Sequence, residues 1–105
     1  MFTHRATMNL KADAAPEFAR VTEAEIIPLL RKQKGFCGEI TSITAERLYA
    51  SSDSYWETKE DAEVYHNTGY QESLKSLLNV IAGLPMVGTF EVTNSTFHMI
   101  AAKAA

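Results

Sequence analysis

The chain has 105 residues, of which 46% are hydrophobic and 22% charged, and its formal net charge is −3. This length fits one domain with a modest core, and the acidic balance argues against nucleic acid or a membrane surface as a partner. A single cysteine excludes an intrachain disulfide, and no apolar run reaches the length of a signal peptide or a membrane span. We expect one cytoplasmic domain over residues 1–105, with residues 95–105 as a C-terminal extension or tail.

The first third of the chain predicts a strand followed by a long helix. Residues 2–10 alternate between apolar and polar side chains, which is typical of a half-buried strand. Asp13 is the expected cap of the helix, and Pro16 suits its first turn. Pro28 removes a hydrogen bond from the helix and should bend it about one turn earlier, and Gly35 should end it.

The middle of the chain predicts a hairpin that leads into a second helix. Residues 36–44 form a weaker strand in which Gly38 is the expected bulge, and residues 47–56 form the next strand after a short turn. Thr58 follows at once and is expected to cap the second helix.

The last third predicts the rest of this helix and a final strand. Gly69 should interrupt the helix, and an apolar stripe then continues from Tyr70 to Ile81 with the spacing of one helical face. Gly83 should end the helix, and residues 86–92 should form the fourth strand.

The order strand, helix, strand, strand, helix, strand predicts an α+β fold. Two right-handed crossovers around a central hairpin give the ferredoxin-like βαββαβ arrangement with a four-stranded antiparallel sheet. Both helices then cover one sheet face, and the other face suits a homodimer interface, with a solvated face as the alternative. The side chains expected on this open face are polar, charged or tyrosine: Thr3, Arg5, Thr7, Asn9, Glu39, Tyr49, Ser51, Asp53, Tyr55, Thr89, Glu91 and Thr93.

Three stretches carry a resemblance to a known family. They are the long helix with Phe18 and residues 26–30 before Gly35-Phe36, the junction Tyr55-Trp56-Glu57-Thr58 with Ala62, and Tyr70 with Glu91-Val92 in the last strand. Over about residues 2–94 the chain resembles the antibiotic-biosynthesis-monooxygenase-like family of dimeric α+β barrels. The resemblance implies that two protomers press their sheet faces together and that each holds a cavity between helices and sheet.

The chemistry implied by the resemblance is oxidation without a cofactor. Quinone-forming members of the family oxidise aromatic polyketides without metal or flavin, which implies a small aromatic or quinone-like substrate here. Haem-degrading members use an Asn, a Trp and a His whose positions fall on Ala6, Tyr65 and Lys75, so haem degradation is not implied.

The residues of the chain suggest a candidate site on the second helix. Imidazole side chains ordinarily titrate near neutral pH, so His66 is the candidate base, with Tyr65 and Tyr70 orienting the substrate. The alternative for His66 is a surface or half-buried helix residue without a catalytic role. The candidate pocket residues are Trp56, Tyr70, His4 and Asn67, although the sequence favours a core role for Trp56 and His4.

Other kinds of site have little support in the sequence. The three histidines, His98 among them, lie far apart and lack the spacing of metal ligands, so no metal site is expected. Cys37 has no CxxC partner and is expected to be a buried, inert thiol. Three functions remain open: a cofactor-independent or flavin-assisted monooxygenase, a non-catalytic small-ligand-binding or stress-response barrel, and an isomerase-like use of the cavity in which a proton moves without oxygen.

Overall fold

The structure is a computed structural model that describes residues 1–97, so His98 and the end of the predicted tail lie outside it. No helix within residues 1–97 is long and apolar enough to cross a membrane. The elements in chain order are β1 (Phe2–Leu10), α1 (Ala15–Val21), a π-helical segment (Thr22–Ile26), α2 (Ile27–Arg31), β2 (Phe36–Ile43), β3 (Tyr49–Trp56), α3 (Lys59–Asn67), α4 (Gly69–Leu77) and β4 (Ile81–Glu91).

The four strands form one sheet in the order β2-β3-β1-β4, and every neighbouring pair is antiparallel. This is the ferredoxin-like arrangement, so the predicted α+β fold is confirmed. The register between β2 and β3 shifts between Phe36 and Gly38, which confirms the bulge expected at Gly38. The core lies between the sheet and the helices, and its largest fully buried side chains are Trp56, Phe18, Leu30 and His4.

The long helix changes its winding in the turn before Pro28. The backbone N–H of Ile27 donates to the carbonyl of Thr22, five residues earlier, within the π-helical segment. Pro28 has no N–H, and a helix commonly absorbs such a loss by a local change of winding. The helix irregularity predicted before Pro28 is therefore present, and Thr22 is the first residue of the π-helical segment.

The cap predicted for the long helix is wrong. Ala14 occupies the cap position without a side-chain hydrogen bond, while Asp13 has a φ of 60°. Asp13 therefore belongs to the turn that precedes the helix, where a short polar side chain tolerates left-handed backbone. The expectation for Pro16 in the first turn is confirmed.

The second helix is two short helices that meet at Thr68. The backbone N–H of Asp61 donates to the Thr58 hydroxyl at 3.0 Å, which confirms the predicted cap. Gly69 opens α4, and a Cβ atom there would lie 2.9 Å from Cδ1 of Tyr65. The break predicted at Gly69 is therefore confirmed, and it lets α4 pack closely on Tyr65.

The predicted start of the fourth strand is wrong. α4 ends at Leu77, and Ile81 already pairs with Leu10 of β1 in β4. Ile81 lies four residues after Leu77, so its spacing fitted the helical stripe equally well. Gly83 has a φ of 78° inside β4, where the register shifts, rather than at the end of a helix.

The open face of the sheet is more apolar than predicted. Glu39, Thr89 and Glu91 pair with Ser54, His4 and Phe2, which all lie on the helix side, so these three assignments are wrong. Arg5 and Asp53 do lie on the open face, where the Arg5 Nε donates to the Asp53 carboxylate at 3.0 Å. The register surrounds this ion pair with exposed large side chains, which are Ile40, Tyr49, Met86 and Phe90.

Candidate functional site

Four of the predicted site residues meet in one cluster between β1 and the second helix. Alternation along β1 directs His4 toward the helices, and the turns of α3 and α4 direct Tyr65, His66 and Tyr70 toward β1. The ring of His4 lies at the centre, 5.1 Å from Tyr65 and 4.8 Å from Tyr70 between ring centroids. His66 stacks on Tyr70 with an angle of 12° between the ring planes.

A hydrogen bond joins the two histidines. Nε2 of His4 lies 3.0 Å from Nδ1 of His66, which is ideal for one N–H and one lone pair. His4 is only 2% exposed, whereas His66 is half-buried. Burial, together with the neighbouring His66, lowers the pKa of His4 to about 4, so His4 is neutral at neutral pH. The ring of His66 is thus held in place while part of it still reaches solvent.

The two tyrosines of the cluster remain protonated at neutral pH. Burial raises the pKa of Tyr65 to about 12, against a smaller lowering by the neighbouring Ser73 hydroxyl. Burial also raises the pKa of Tyr70. Both phenol rings therefore stay neutral beside the histidine pair.

Trp56 supports the cluster from the core. It has no exposed surface and stacks on Tyr65 with 4.7 Å between ring centroids. Its indole N–H donates to the Ser54 hydroxyl at 2.9 Å, and that hydroxyl donates in turn to the His4 carbonyl at 3.4 Å. Trp56 is therefore a core side chain rather than a pocket wall, and its ring holds Tyr65 in position.

The cavity beside the cluster is small. It has a volume of about 20 Å³, and its walls include His4, Tyr65, Tyr70 and Ser73. This is room for about one water molecule, and no aromatic ring fits. The Ser73 hydroxyl is buried there without a hydrogen-bond partner of good geometry.

Asn67 and Cys37 do not take part in this cluster. Asn67 is exposed near the end of α3 and lines neither the small cavity nor the cleft described below. Cys37 is exposed rather than buried, so that expectation is wrong; it lies beside the Gly38 bulge on the edge strand β2. Desolvation and the neighbouring Glu57 raise the pKa of its thiol, which keeps it in the unreactive protonated form.

A much larger cleft lies between the long helix and the edge strand β2. Its volume is about 590 Å³, within the range of sites for small organic ligands. None of the six predicted site residues lines it. Its walls combine apolar side chains with a few polar ones: Phe18, Ala19, Thr22, Glu23, Ile27, Pro28, Arg31, Glu39, Thr41 and Ile43.

The polar side chains of the cleft come from two elements. On β2, the Thr41 hydroxyl donates to the Glu39 carboxylate at 2.6 Å. On the helix, the Thr22 hydroxyl is buried without a hydrogen-bond partner at the start of the π-helical segment. A serine or threonine in a helix can bond a carbonyl one turn back, and Thr22 does not. Pro28, which predicts an irregular turn in the helix, was the sequence signal that could have pointed to this cleft.

The described residues provide no obvious metal site. Within residues 1–97 there is no group of three or more His, Cys, Asp or Glu side chains that could hold a metal ion. The nitrogen atoms of His4 and His66 that face each other are engaged in their mutual hydrogen bond.

Solved structures with the same fold include several oxygenases. The chain aligns with SnoaB, a cofactor-independent oxygenase from Streptomyces nogalater, at a TM-score of 0.73 and 14% identity, over 90% of this chain and 95% of the other. It also aligns with a monooxygenase from the gene ActVA-Orf6 of Streptomyces coelicolor, solved with the ligand nanaomycin D. The TM-score is 0.73 and the identity 12%, over 90% of this chain and 88% of the other. A candidate antibiotic biosynthesis monooxygenase from Bordetella bronchiseptica aligns at a TM-score of 0.70 and 20% identity, over 89% of this chain and 97% of the other.

These likenesses define the fold class of the chain. It has the α+β ferredoxin-like fold of the solved antibiotic biosynthesis monooxygenases, so the resemblance found in the sequence is confirmed at the level of the fold. No protein-family model matches the sequence, and no curated protein is significantly similar to it.

Proposed function

We propose that the protein is a cofactor-independent monooxygenase that acts on a small aromatic or quinone-like substrate. The observation that carries this proposal is the His4–His66 hydrogen bond of 3.0 Å, flanked by two tyrosines that stay protonated. A carbon acid or a phenol needs a base in order to form its reactive anion, and a neutral phenol such as Tyr70 can donate a hydrogen bond to that anion. The fold supports the proposal, because SnoaB carries out oxygenation without a cofactor on the same framework.

The reaction balances without an external reductant. His66 Nε2 takes a proton from an activated methylene or a phenol, and the electron pair of the broken bond stays on the substrate as an enolate or phenolate. For an anthrone, this anion reduces dioxygen and forms a C–O bond, and the resulting hydroperoxide loses water. One methylene and one dioxygen thus become one carbonyl and one water, and the substrate supplies all the electrons.

The substrate meets the histidine pair from its solvent side. The cavity of about 20 Å³ behind His4 has no space for a ring, whereas His66 is half-buried and its Nε2 has no described hydrogen-bond partner. Tyr70, stacked on His66, stands next to this edge and can donate to the developing oxyanion. The position of His66 would then be fixed in part by the buried His4, which the substrate itself does not touch.

The test of this function measures oxygen uptake with a panel of anthrone and hydroquinones. It also compares product formation in air with product formation under strictly anaerobic conditions. His66→Gln should lower turnover by about 10²–10⁴-fold, the usual contribution of a positioned base. Val64→Ala is the matched control, because Val64 is 61% exposed on the same helix. No oxygen uptake above the non-enzymatic rate with any member of the panel would contradict the proposal.

A second candidate function is the binding of a small ligand without turnover. It is favoured by one observation, the separation of the ligand-sized cleft of about 590 Å³ from the histidine cluster. Ala19→Trp would fill this cleft from the exposed face of the helix. If the protein is a binding protein, 1,8-dihydroxyanthraquinone should bind to the wild type without being consumed and should bind at least tenfold more weakly to Ala19→Trp.

The homodimer stays part of the proposal. It is supported by the apolar ring of Ile40, Met86 and Phe90 around the Arg5–Asp53 ion pair on the uncovered sheet face. The Arg5 guanidinium also lies 5.2 Å from the centre of the Phe90 ring, so the charge is already partly covered. Light scattering at micromolar concentration should give twice 11.6 kDa, and a stable species of 11.6 kDa would contradict the dimer.

A further inference from the structure

The cleft between the long helix and β2 contains a buried polar group without a partner. Thr22 lines the cleft and is 6% exposed, and its hydroxyl has no hydrogen-bond partner among residues 1–97. A buried hydroxyl that makes no hydrogen bond costs free energy, so a native structure rarely keeps one. Rotation about χ1 exchanges the hydroxyl and the methyl group of a threonine, which brings this hydroxyl within reach of a molecule in the cleft. Thr22 therefore favours a ligand with a polar group at this position.

The winding of the helix is irregular at the same place. Thr22 is the first residue of the π-helical segment, and Pro28, which has no N–H, lines the cleft as well. Short π-helical segments inside α-helices occur frequently at functional sites. The irregular part of the long helix is thus also the part that forms a wall of the cleft.

Both walls of the cleft contribute a carboxylate. Glu23 comes from the helix, and Glu39 comes from β2. The Thr41 hydroxyl donates to the Glu39 carboxylate at 2.6 Å, which holds this carboxylate in place and leaves further lone pairs free to accept. Within residues 1–97, neither Glu23 nor Glu39 forms an ion pair with a lysine or an arginine. The cleft therefore suits a ligand that brings a positive charge.

The cleft has an apolar end and a cationic end. Residues 32–35 connect α2 directly to β2, so the helix and the strand run in opposite directions along the cleft. With about 3.3 Å per strand residue and about 1.5 Å per helix residue, Ile43 comes roughly level with Phe18, far from this connection. Arg31 lies next to the connection, two turns or about 12 Å beyond Glu23. Glu23 therefore lies between the apolar end and Arg31.

We propose that the cleft binds a protonated primary amine with an apolar body, of the arylalkylamine class. A primary ammonium has three N–H donors, and the cleft offers three acceptors in Glu23, Glu39 and the Thr22 hydroxyl. The apolar body lies toward Ile43, because Arg31 repels a cation at the other end. This site goes beyond the proposed oxygenase function and does not depend on it, since no residue of the histidine cluster lines the cleft.

The test is a titration of the uniformly ¹⁵N-labelled full chain with 2-phenylethylamine near neutral pH, followed by ¹H–¹⁵N correlation NMR. Two probes of similar shape, the anion 3-phenylpropionate and the neutral 2-phenylethanol, are titrated in parallel. We expect saturable shifts of the amide signals of Ile27 and Thr41, and an affinity for the amine at least about tenfold above that for either other probe.

Two results of these titrations would overturn the proposal. One is binding of 3-phenylpropionate or 2-phenylethanol as tight as that of the amine, because the carboxylates would then not select the ligand. The other is the absence of a saturable shift up to about 10 mM amine. Neither result bears on oxygen uptake, so the failure of this proposal and the failure of the oxygenase proposal are distinguishable.

Charge-removing variants test the role of the carboxylate on β2. Glu39→Gln keeps the shape of the side chain and an acceptor for Thr41, so the fold should persist while the affinity for 2-phenylethylamine falls about tenfold or more. Glu60→Gln is the matched control, because Glu60 is exposed on α3 and does not line the cleft. Unchanged affinity in Glu39→Gln, or an equal loss in Glu60→Gln, would contradict the site.

A second variant tests the buried hydroxyl. Thr22→Val replaces the hydroxyl with a methyl group of nearly the same size. It should weaken the binding of 2-phenylethylamine and, because it removes an unpartnered buried hydroxyl, raise the urea midpoint of the free protein. A folded Thr22→Val that binds the amine as tightly as the wild type would contradict the role of Thr22 in the site.

Discussion

The histidine cluster and the cleft under the long helix divide two requirements of an active site between them. The cluster holds a hydrogen-bonded pair of histidines and two phenols, but the cavity beside it measures about 20 Å³. The cleft measures about 590 Å³, but its titratable groups are Glu23, Arg31 and Glu39, and it has no histidine. Pocket volume and the position of the titratable side chains therefore select different regions, and a proton-transfer reaction depends first on the geometry of the groups that move protons.

Of the substitutions in the two regions, Trp56→Ala is expected to cause the largest loss of stability. Trp56 is fully buried and supports Tyr65, so Trp56→Ala should destabilise the fold by about 3–5 kcal/mol in urea unfolding. If that variant does not fold, Trp56→Phe offers a milder truncation of the same contact. A loss below about 0.5 kcal/mol for Trp56→Ala would show that the cluster is not built into the core.

Acid should destabilise the protein through His4. Its pKa is about 4 in the folded state and 6.5 in the unfolded chain, so the unfolded state binds the proton more readily as pH falls. The stability contributed by neutral His4 is complete above pH 6.5 and is lost between pH 6.5 and about 4, by about 3 kcal/mol in total.

Urea unfolding between pH 8 and 4 measures this loss. His4→Gln has no titrating ring at this position, so its stability should fall less steeply over the same range. Parallel pH dependences of the wild type and His4→Gln would contradict the assignment of the loss to His4.

A smaller effect is expected at Ser54. Its hydroxyl accepts from the Trp56 indole at 2.9 Å, and Ser54→Ala would leave that buried N–H without its partner. The expected cost is about 1–3 kcal/mol, and Ser54→Thr, which keeps a hydroxyl, is the matched control. Equal stability of Ser54→Ala and the wild type would mean that the indole finds another acceptor.

The smallest effect is expected in the cleft. Glu39 is half-buried and accepts from Thr41, and Glu39→Gln keeps an acceptor oxygen at the same place. The variant should therefore change the free energy of unfolding by less than about 0.5 kcal/mol. A larger loss would show that the cleft is as tightly organised as the cluster.

Local chemistry explains which parts of the fold could be predicted. Thr58 and Pro28 act on neighbouring backbone groups, so the sequence determines the cap and the irregular turn that follow from them. Asp13 and Ile81 were misassigned because each fits two local patterns. Only tertiary packing decides between a cap and a turn at Asp13, and between a helix end and a strand start at Ile81.

The same limit of sequence-based prediction applies to the candidate site. Alternation in β1 and helical spacing in α3 and α4 placed His4, Tyr65 and Tyr70 on facing surfaces, but the position of His66 stayed open between the pocket and the surface. The contact between His4 and His66 spans 62 positions, and no local rule specifies which turn of a helix lies over which residue of a strand. The size of the neighbouring cavity also depends on how tightly the layers pack, so the sequence could not show that Tyr70 and Leu74 leave so little space.

The most direct test of the central claim compares oxygen uptake by the wild type, His66→Gln and Ala19→Trp, with circular dichroism as the folding control. If proton transfer occurs at the histidine pair, His66→Gln should lose about 10²–10⁴-fold in turnover while Ala19→Trp keeps the turnover of the wild type at saturating substrate. Loss of turnover in Ala19→Trp together with unchanged turnover in His66→Gln would contradict the account and move the chemistry to the cleft.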